Sequence, residues 1–526
     1  MGVYLNPRND GFAEAIHSEI YVDKTGLIAY TNQYLNTEQK FICVSRPRRF
    51  GKSMALRMLA AYYSRGCDSR ELFSGMKIES DPAFADYINR FDVIFLNMQH
   101  FLIRAKKQDF TEYLEQAVLG DIRKEYGDFF SDQETILAAA LEQIYADTGK
   151  KFIFLIDEWD CVMRERQEEE CLQKQYLDFL RNLLKDQPYV ALAYVTGILP
   201  VKKYGQHSAL NMFWEYSMTD QSIFEEYTGF TEGEVKELCR QYDMNFAETG
   251  SWYDGYQFRR FKHVYNPRSV VAAMKSRYFS DYWISTETYE ALKVYMEMDF
   301  DGLRSDIVRM LGGERISVNT HSFQNDMCTF RTRDDVLTLL IHLGYLGYDA
   351  EQKETFIPNR EIAGEFENAM SVGGWGEVMR ILKASDRLLE DTLRLDAESV
   401  AAGLDRAHTE VASILTYNDE NTLCCAISLA YYSARKDYRM VREMPAGHGF
   451  ADVVFLPLPM VQKPALIIEL KYGGSADAAI QQIRDRQYPR ALEGYAGEIL
   501  LVGVNYDKDN RNKPHSCVIE RFITNE

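Results

Sequence analysis

Through the first two hundred residues, short apolar runs alternate with stretches whose apolar residues recur at helical spacing. Gln39-Lys-Phe-Ile-Cys-Val-Ser45, Asp92-Val-Ile-Phe-Leu-Asn97, Phe152-Ile-Phe-Leu-Ile-Asp157 and Tyr189-Val-Ala-Leu-Ala-Tyr-Val-Thr196 are nearly continuous in apolar residues. Strands buried on both faces have that pattern. Ser53 to Tyr63 reads as an amphipathic helix, and further helices fill the gaps. The alternation predicts an α/β fold with a doubly wound parallel sheet whose ligand end lies at the strand C-termini.

From about residue 230 the pattern turns helical and aromatic. Trp252, Tyr253, Tyr256, Phe258 and Tyr265 crowd one stretch around Asp254, Gly255, Asn266 and Pro267. A turn packed on a core explains them better than a platform for stacking bases. Within residues 332–366, Thr332 and Asp335 form a capping box ahead of a helix from Val336 to Leu343. Gly344 to Asp349 and Glu354 to Pro358 then pair as a hairpin, followed by a helix capped at Asn359. That order is winged-helix-like, and its scarcity of basic residues favours a lid or packing role over DNA reading.

The last stretch reads α-β-β-β-α-β with one further strand after it: helix Asn421 to Ala434, strands from Tyr438, Phe450 and Pro464, helix Ser475 to Tyr488, strand Glu498 to Tyr506, and then Ser516 to Phe522. Residues 1–228, 229–400 and 401–526 are the expected domains, consistent with a 526-residue chain too long for one core.

Hydrophobic content of 46% with 26% charged residues describes a folded chain without low-complexity linkers. No apolar run reaches the roughly 18 residues of a membrane span, and the first twenty residues lack a signal-peptide core, so a cytoplasmic protein without membrane contact is expected. Nine scattered cysteines, without a C-x-x-C pair, suit reduced thiols. A net charge of −19 argues against a non-specific DNA coat. Its distribution leaves the ends open to anions: residues 1–66 carry nine Lys/Arg against five Asp/Glu, and residues 431–526 thirteen against twelve.

Arg-Pro-Arg-Arg-Phe-Gly-Lys-Ser, residues 46–53, links the first strand to the first long helix, where a phosphate loop belongs. In G-x-x-x-x-G-K-[ST], backbone N–H groups cradle phosphates, the lysine reaches the β/γ-phosphates, and the hydroxyl binds Mg²⁺. Gly51, Lys52 and Ser53 satisfy the second half of the pattern, while Arg46 replaces its first glycine. An ATPase of this class also needs an apolar strand ending in an acid, and Asp157-Glu158 ends one. Asp157 is expected to hold Mg²⁺ with Ser53, and Glu158 to polarise the attacking water. Strand order puts Thr196, or Gly197 beside it, at a γ-phosphate sensor position. A basic surface turn and a solvated strand end would explain either motif alone, but not both in this order.

Near the other end, Asp452 and Glu469 lie inside apolar runs, which is costly unless they are paired or hold a cation. Asp452 followed by Glu469-x-Lys471 is the D…(D/E)xK spacing of nucleases: two carboxylates hold Mg²⁺, and the lysine positions a water. Period-two alternation puts Glu469 and Lys471 on one face.

These stretches, with Tyr21-Val-Asp-Lys-Thr25, Tyr227-Thr-Gly-Phe-Thr-Glu-Gly-Glu-Val235, Trp252-Tyr-Asp-Gly-Tyr256 and Tyr265-Asn-Pro-Arg-Ser269, resemble bacterial AAA-ATPase-like proteins with a C-terminal PD-(D/E)XK nuclease-like domain. The resemblance covers nearly the whole chain. It implies that Arg46 is a regular member of the nucleotide loop, and that the N-terminal α/β domain is a P-loop NTPase. Ala479-Ile-Gln-Gln482, with Tyr488 after it, resembles the family's helix motif, which implies that Gln482 touches substrate or metal-bound water. Glu420 or Glu443 would supply a further carboxylate. Relatives often have arginine where this chain has Phe450, and the loss of that contact predicts weak or narrow cleavage.

The combined expectation is an ATPase coupled to a Mg²⁺-dependent nuclease, with Mn²⁺ as the alternative ion, DNA as the polymer and self-assembly as a homo-oligomer. Arg46, Gly51, Lys52, Ser53, Asp157 and Thr196 would bind the nucleotide and its metal. Asp452, Glu469, Lys471 and Gln482 would form the cutting site. The alternative is a nucleotide-controlled switch whose nuclease-like domain docks a partner without cutting. Mobile-element or phage defence is compatible with either.

Overall fold

The computed structural model describes residues 2–106, 108–201, 210–220, 224–283, 289–298, 300–324, 330–415, 420–458, 461–492, 495, 497–507, 509–510 and 514–522. The backbone divides into two compact units, Met1–Trp283 with Ser317–Glu361, and Ile284–Ile316 with Ile362–Glu526. The helical stretch 229–400 is therefore shared between them.

In the first unit, β1 (Phe41–Ser45), β2 (Asp92–Asn97), β3 (Phe152–Asp157), β4 (Val190–Gly197) and β5 (Trp214–Tyr216) form a parallel sheet in the order β2-β3-β4-β1-β5. The four apolar runs become β1 to β4: three inner strands and the edge strand β2. Three of them, β1, β3 and β4, are buried at every position, as expected of strands covered by helices on both faces. The short edge strand β5 was not legible, since three residues of falling exposure carry no periodic signal. Because β4 lies between β1 and β3, the strand ends align: Asn97 is in register with Asp157, Ile156 with Val195, and Ser45 with Gly197. The helix Lys52–Tyr63 packs its apolar side into a core with Ile42, Val44, Ile153 and Leu155.

The aromatic stretch is core. Tyr253, Tyr256, Phe258 and Tyr265 are all buried, Tyr256 donates to the Gly344 carbonyl at 2.7 Å, and its ring meets Phe50 edge-on at 5.0 Å. The Thr332–Asp335 capping box forms, opening the helix Arg333–Leu343, and the hairpin pairs Gly347–Asp349 with Glu354–Phe356.

In the second unit, strands Tyr438–Ala446, Gly449–Pro457, Ala465–Tyr472, Ile499–Tyr506 and His515–Phe522 are neighbours in that order, antiparallel except for the parallel central pair Ala465–Tyr472 and Ile499–Tyr506. A parallel pair needs a crossover, and the helix Ala476–Asp485 provides it. Ile480 and Ile483 on that helix pack onto Val454, Ile467 and Leu501. Among the described residues, no helix is long and apolar enough to cross a membrane.

Candidate functional sites

The loop after β1 is braced from below. Arg46 points into the core: Nε donates to Thr228 Oγ1 at 3.0 Å, Nη1 donates to the carbonyls of Tyr216 at 2.8 Å and Ser45 at 2.9 Å, and the guanidinium lies 4.6 Å from the Phe258 ring centre. Burial lowers its pKa to about 10. The side chain thus anchors the loop base and does not face its mouth. The Gly229 N–H closes the loop's other end on the Phe50 carbonyl at 2.9 Å. Lys24 holds the Thr231–Glu234 capping box in turn, 2.6 Å from Glu234 Oε2. The motif pieces scattered over 21–25 and 227–235 meet here as one brace.

Gly51, at φ 89, makes the left-handed turn into the helix Lys52–Tyr63, a conformation that costs other residues about 1–2 kcal/mol. Ser53 occupies the second position of that helix, whose first N–H groups are free of intrahelical partners. Lys52 Nζ is buried and donates to the carbonyls of Arg46 at 2.8 Å and Pro47 at 2.7 Å. Burial lowers its pKa, against the pull of Glu158, Asp157 and Asp160.

Those carboxylates stand at the end of β3. Asp157 Oδ1 accepts from Thr196 Oγ1 at 2.7 Å and from the Glu158 N–H at 3.1 Å, while Asn97 Nδ2 reaches Oδ2 at 3.5 Å. Thr196 therefore orients the acid from the neighbouring strand. Gly197 is needed for packing, since a Cβ there would stand 2.6 Å from the Trp159 ring. Glu158 has a left-handed backbone, φ 55, and its carboxylate pairs with Arg164. Burial raises its pKa, and Arg164 and then Lys52 oppose the shift. Left-handed non-glycine residues cost on the order of 1–3 kcal/mol and cluster at functional sites.

Asp160 and Arg164 belong to no motif and gain a role only in the fold. Asp160 is fully buried, and its Oδ2 accepts the N–H groups of Ile198 at 3.0 Å and Leu199 at 2.8 Å, and Arg164 Nε at 3.1 Å. The sequence signal for Asp160 was a third acid, two residues after the Asp157-Glu158 pair.

In the second unit, Asp452 and Glu469 lie on neighbouring strands. The ladder between them ends with the pair Val453–Ile468, and beyond it Asp452 Oδ2 accepts the Leu470 N–H at 2.7 Å. Glu469 is 2% exposed. Its Oε1 accepts from Gln482 Nε2 and faces Lys471 Nζ at 3.4 Å, while Gln482 Oε1 accepts from Lys471 Nζ at 2.6 Å. Gln482 thus bridges the acid and the lysine. Burial, then Asp452, raises the Glu469 pKa to about 7, against Lys471. Glu469 Oε2 is buried with no hydrogen-bond partner among the described residues.

An orphaned carboxylate oxygen beside a second carboxylate fits a divalent cation, since such an atom is costly without a partner. Among the described residues no cluster of three or more His, Cys, Asp or Glu completes a protein-only cage, so water and substrate oxygens would fill the remaining positions. Glu443, at φ 48, lies between the pairs Arg442–Val453 and Met444–Ala451, across from Asp452, and is exposed. The side chain of Glu420 lies outside the described residues.

Comparisons with known proteins match one segment within each unit. Residues 10–206 match the family model described as a predicted AAA-ATPase, and residues 420–516 the model of the PD-(D/E)XK nuclease superfamily. Over 522 residues the chain is 23% identical to an uncharacterized protein in the vnfD 5' region of Azotobacter chroococcum mcd 1, with 94% of each chain covered.

Proposed function

We propose, from the premise that this chain joins an AAA-ATPase-like segment to a PD-(D/E)XK nuclease segment, that it is an ATP-hydrolysing protein that governs a divalent-ion-dependent nuclease acting on DNA. The observation that carries the nuclease half is the buried Glu469, with one oxygen unpartnered among the described residues, beside Asp452 and bridged by Gln482 to Lys471.

In the first unit, Lys52 and the N–H groups opening its helix would bind the β/γ-phosphates of ATP. Ser53 and Asp157 would hold the nucleotide's Mg²⁺, with Thr196 fixing the carboxylate by its 2.7 Å hydrogen bond. Glu158 would take the proton of the attacking water. Arg46 would serve the nucleotide by anchoring the loop through Thr228 and Tyr216.

In the second unit, Asp452 and Glu469 would hold Mg²⁺ or Mn²⁺, which when bound neutralises phosphate charge and acidifies a water. Lys471 would orient that water, and Gln482 would hold the lysine and Glu469 in place.

The test uses full-length wild type, Lys52→Ala and Glu469→Ala with plasmid and single-stranded DNA, Mg²⁺ or Mn²⁺, and with or without ATP. Cutting by wild type that Glu469→Ala abolishes, and that in Lys52→Ala no longer responds to ATP, supports the reading. Lys52-dependent ATP hydrolysis with no cutting under any condition overturns the nuclease half and favours a switch that docks a partner. The 62% exposed Phe450, two residues from Asp452, would then be the first docking residue to test.

A further inference from the structure

The turn that ends the helix Ala476–Asp485 is pinned to the hairpin tip joining Tyr438–Ala446 to Gly449–Pro457. The Arg486 carbonyl accepts the His448 N–H at 2.9 Å. At Gly447, φ 53, a Cβ would stand 1.9 Å from that carbonyl oxygen, so only glycine permits the approach. The Arg486 side chain then folds across Gly449, where a Cβ would lie 2.7 Å from Nη1, 3.0 Å from Cδ and 3.3 Å from the Tyr488 hydroxyl. Gln482 Nε2 reaches that hydroxyl at 3.3 Å and also donates to Glu469. Arg486 thus stands at the edge of the Glu469 cluster, held there by backbone contacts on both sides.

Neighbouring cations are committed elsewhere: Arg484 pairs with Glu520, Arg442 with Glu314, and Lys471 with Gln482 and Glu469. Arg486 is exposed, its Nη1 lies 3.5 Å from the His448 carbonyl, and among the described residues no carboxylate pairs with it. Its charge nevertheless reaches the site, since it favours the ionised forms of both Glu469 and Tyr488. An uncommitted guanidinium held beside two metal-binding acids suits a phosphate, which it can grip with two parallel hydrogen bonds. Phe450, the residue after Gly449, brings no charge to that role.

We propose that Arg486 is a substrate-binding residue of this site, its guanidinium gripping a backbone phosphate of the nucleic acid next to the bond to be cut; the assignment rests on the nuclease reading above.

The test is fluorescence anisotropy of full-length protein with a labelled DNA duplex, Ca²⁺ in place of Mg²⁺, across a series of salt concentrations. Arg486→Ala should weaken binding roughly tenfold, as expected for a charged hydrogen bond. It should also reduce the slope of log K against log salt by about 1, the signature of one lost phosphate contact. Arg486→Lys should restore the slope, and Arg484→Ala should leave it unchanged. In Mg²⁺, Arg486→Ala should raise KM for DNA more than it lowers kcat. Arg486→Gln keeps the side chain over Gly449 and should reproduce the Ala slope, which separates lost charge from lost folding. Wild type that binds and cuts while Arg486→Gln keeps both its affinity and its salt slope overturns this assignment alone. Wild type that neither binds nor cuts overturns the nuclease reading, and the assignment with it.

Discussion

The Thr196 hydroxyl donates a 2.7 Å hydrogen bond to Asp157 Oδ1 across two neighbouring parallel strands. A hydrogen bond to a charged group contributes about 1.5–3 kcal/mol. If Asp157 holds the nucleotide's metal, losing that restraint costs more in turnover than in ATP binding. Thr196→Val should lower kcat for ATP hydrolysis roughly tenfold or more while KM for ATP moves by less than about threefold, and Thr196→Ser should recover most of the rate. A phosphate-release assay on the three proteins checks this.

Arg164 is held between Glu158 and the fully buried Asp160. Breaking such a buried arrangement from one side leaves a carboxylate uncompensated, which costs about 3–5 kcal/mol. Arg164→Met should therefore lower the melting temperature by several degrees. Its pH profile should also move. Arg164 opposes the upward shift that burial imposes on Glu158, so its removal sends that pKa higher and the acid limb of ATP hydrolysis to higher pH. A purely structural loss would lower the rate without displacing the limb.

Glu469 has its pKa raised from an ordinary 4.5 to about 7 by burial and by Asp452. Between those values the native state binds more protons than the unfolded chain, so this group's contribution to stability is fully present below about pH 4.5 and is lost as pH rises through about 7. A shift of that size corresponds to roughly 3 kcal/mol. Glu469→Gln should accordingly melt higher than wild type at pH 8 and close to it at pH 5. Divalent-ion binding needs the ionised carboxylate. Mn²⁺ affinity measured by calorimetry should fall about tenfold per unit below pH 7 and level off above it, and Glu469→Gln should abolish that dependence.

Much of both sites was legible because its signals are local. Apolar runs gave β1 to β4, Gly51-Lys52-Ser53 marked a loop entering a helix, and period-two alternation put Glu469 and Lys471 on one face. Other features required distant partners. Arg46 reads as a cation beside a phosphate loop, yet its direction was decided by Thr228, Tyr216 and Phe258, which fold beneath it. Arg164 and Arg486 carry no motif, and each gains meaning from what lies across a turn: Asp160 and Glu158 in one case, Gly449 and Tyr488 in the other.

By itself, then, the sequence determined the long elements and the chemical types at their ends, though not the short edge strand β5, because propensity and periodicity act over a few residues. Strand order β2-β3-β4-β1-β5, and with it the Thr196–Asp157 bond, was decided only in the tertiary structure. The same holds for the Gln482 bridge, the unpartnered oxygen of Glu469 and the direction of every arginine discussed. Those features depend on side chains brought together from far apart in the chain, where burial sets the cost of a charge and only the packed neighbours determine what offsets it.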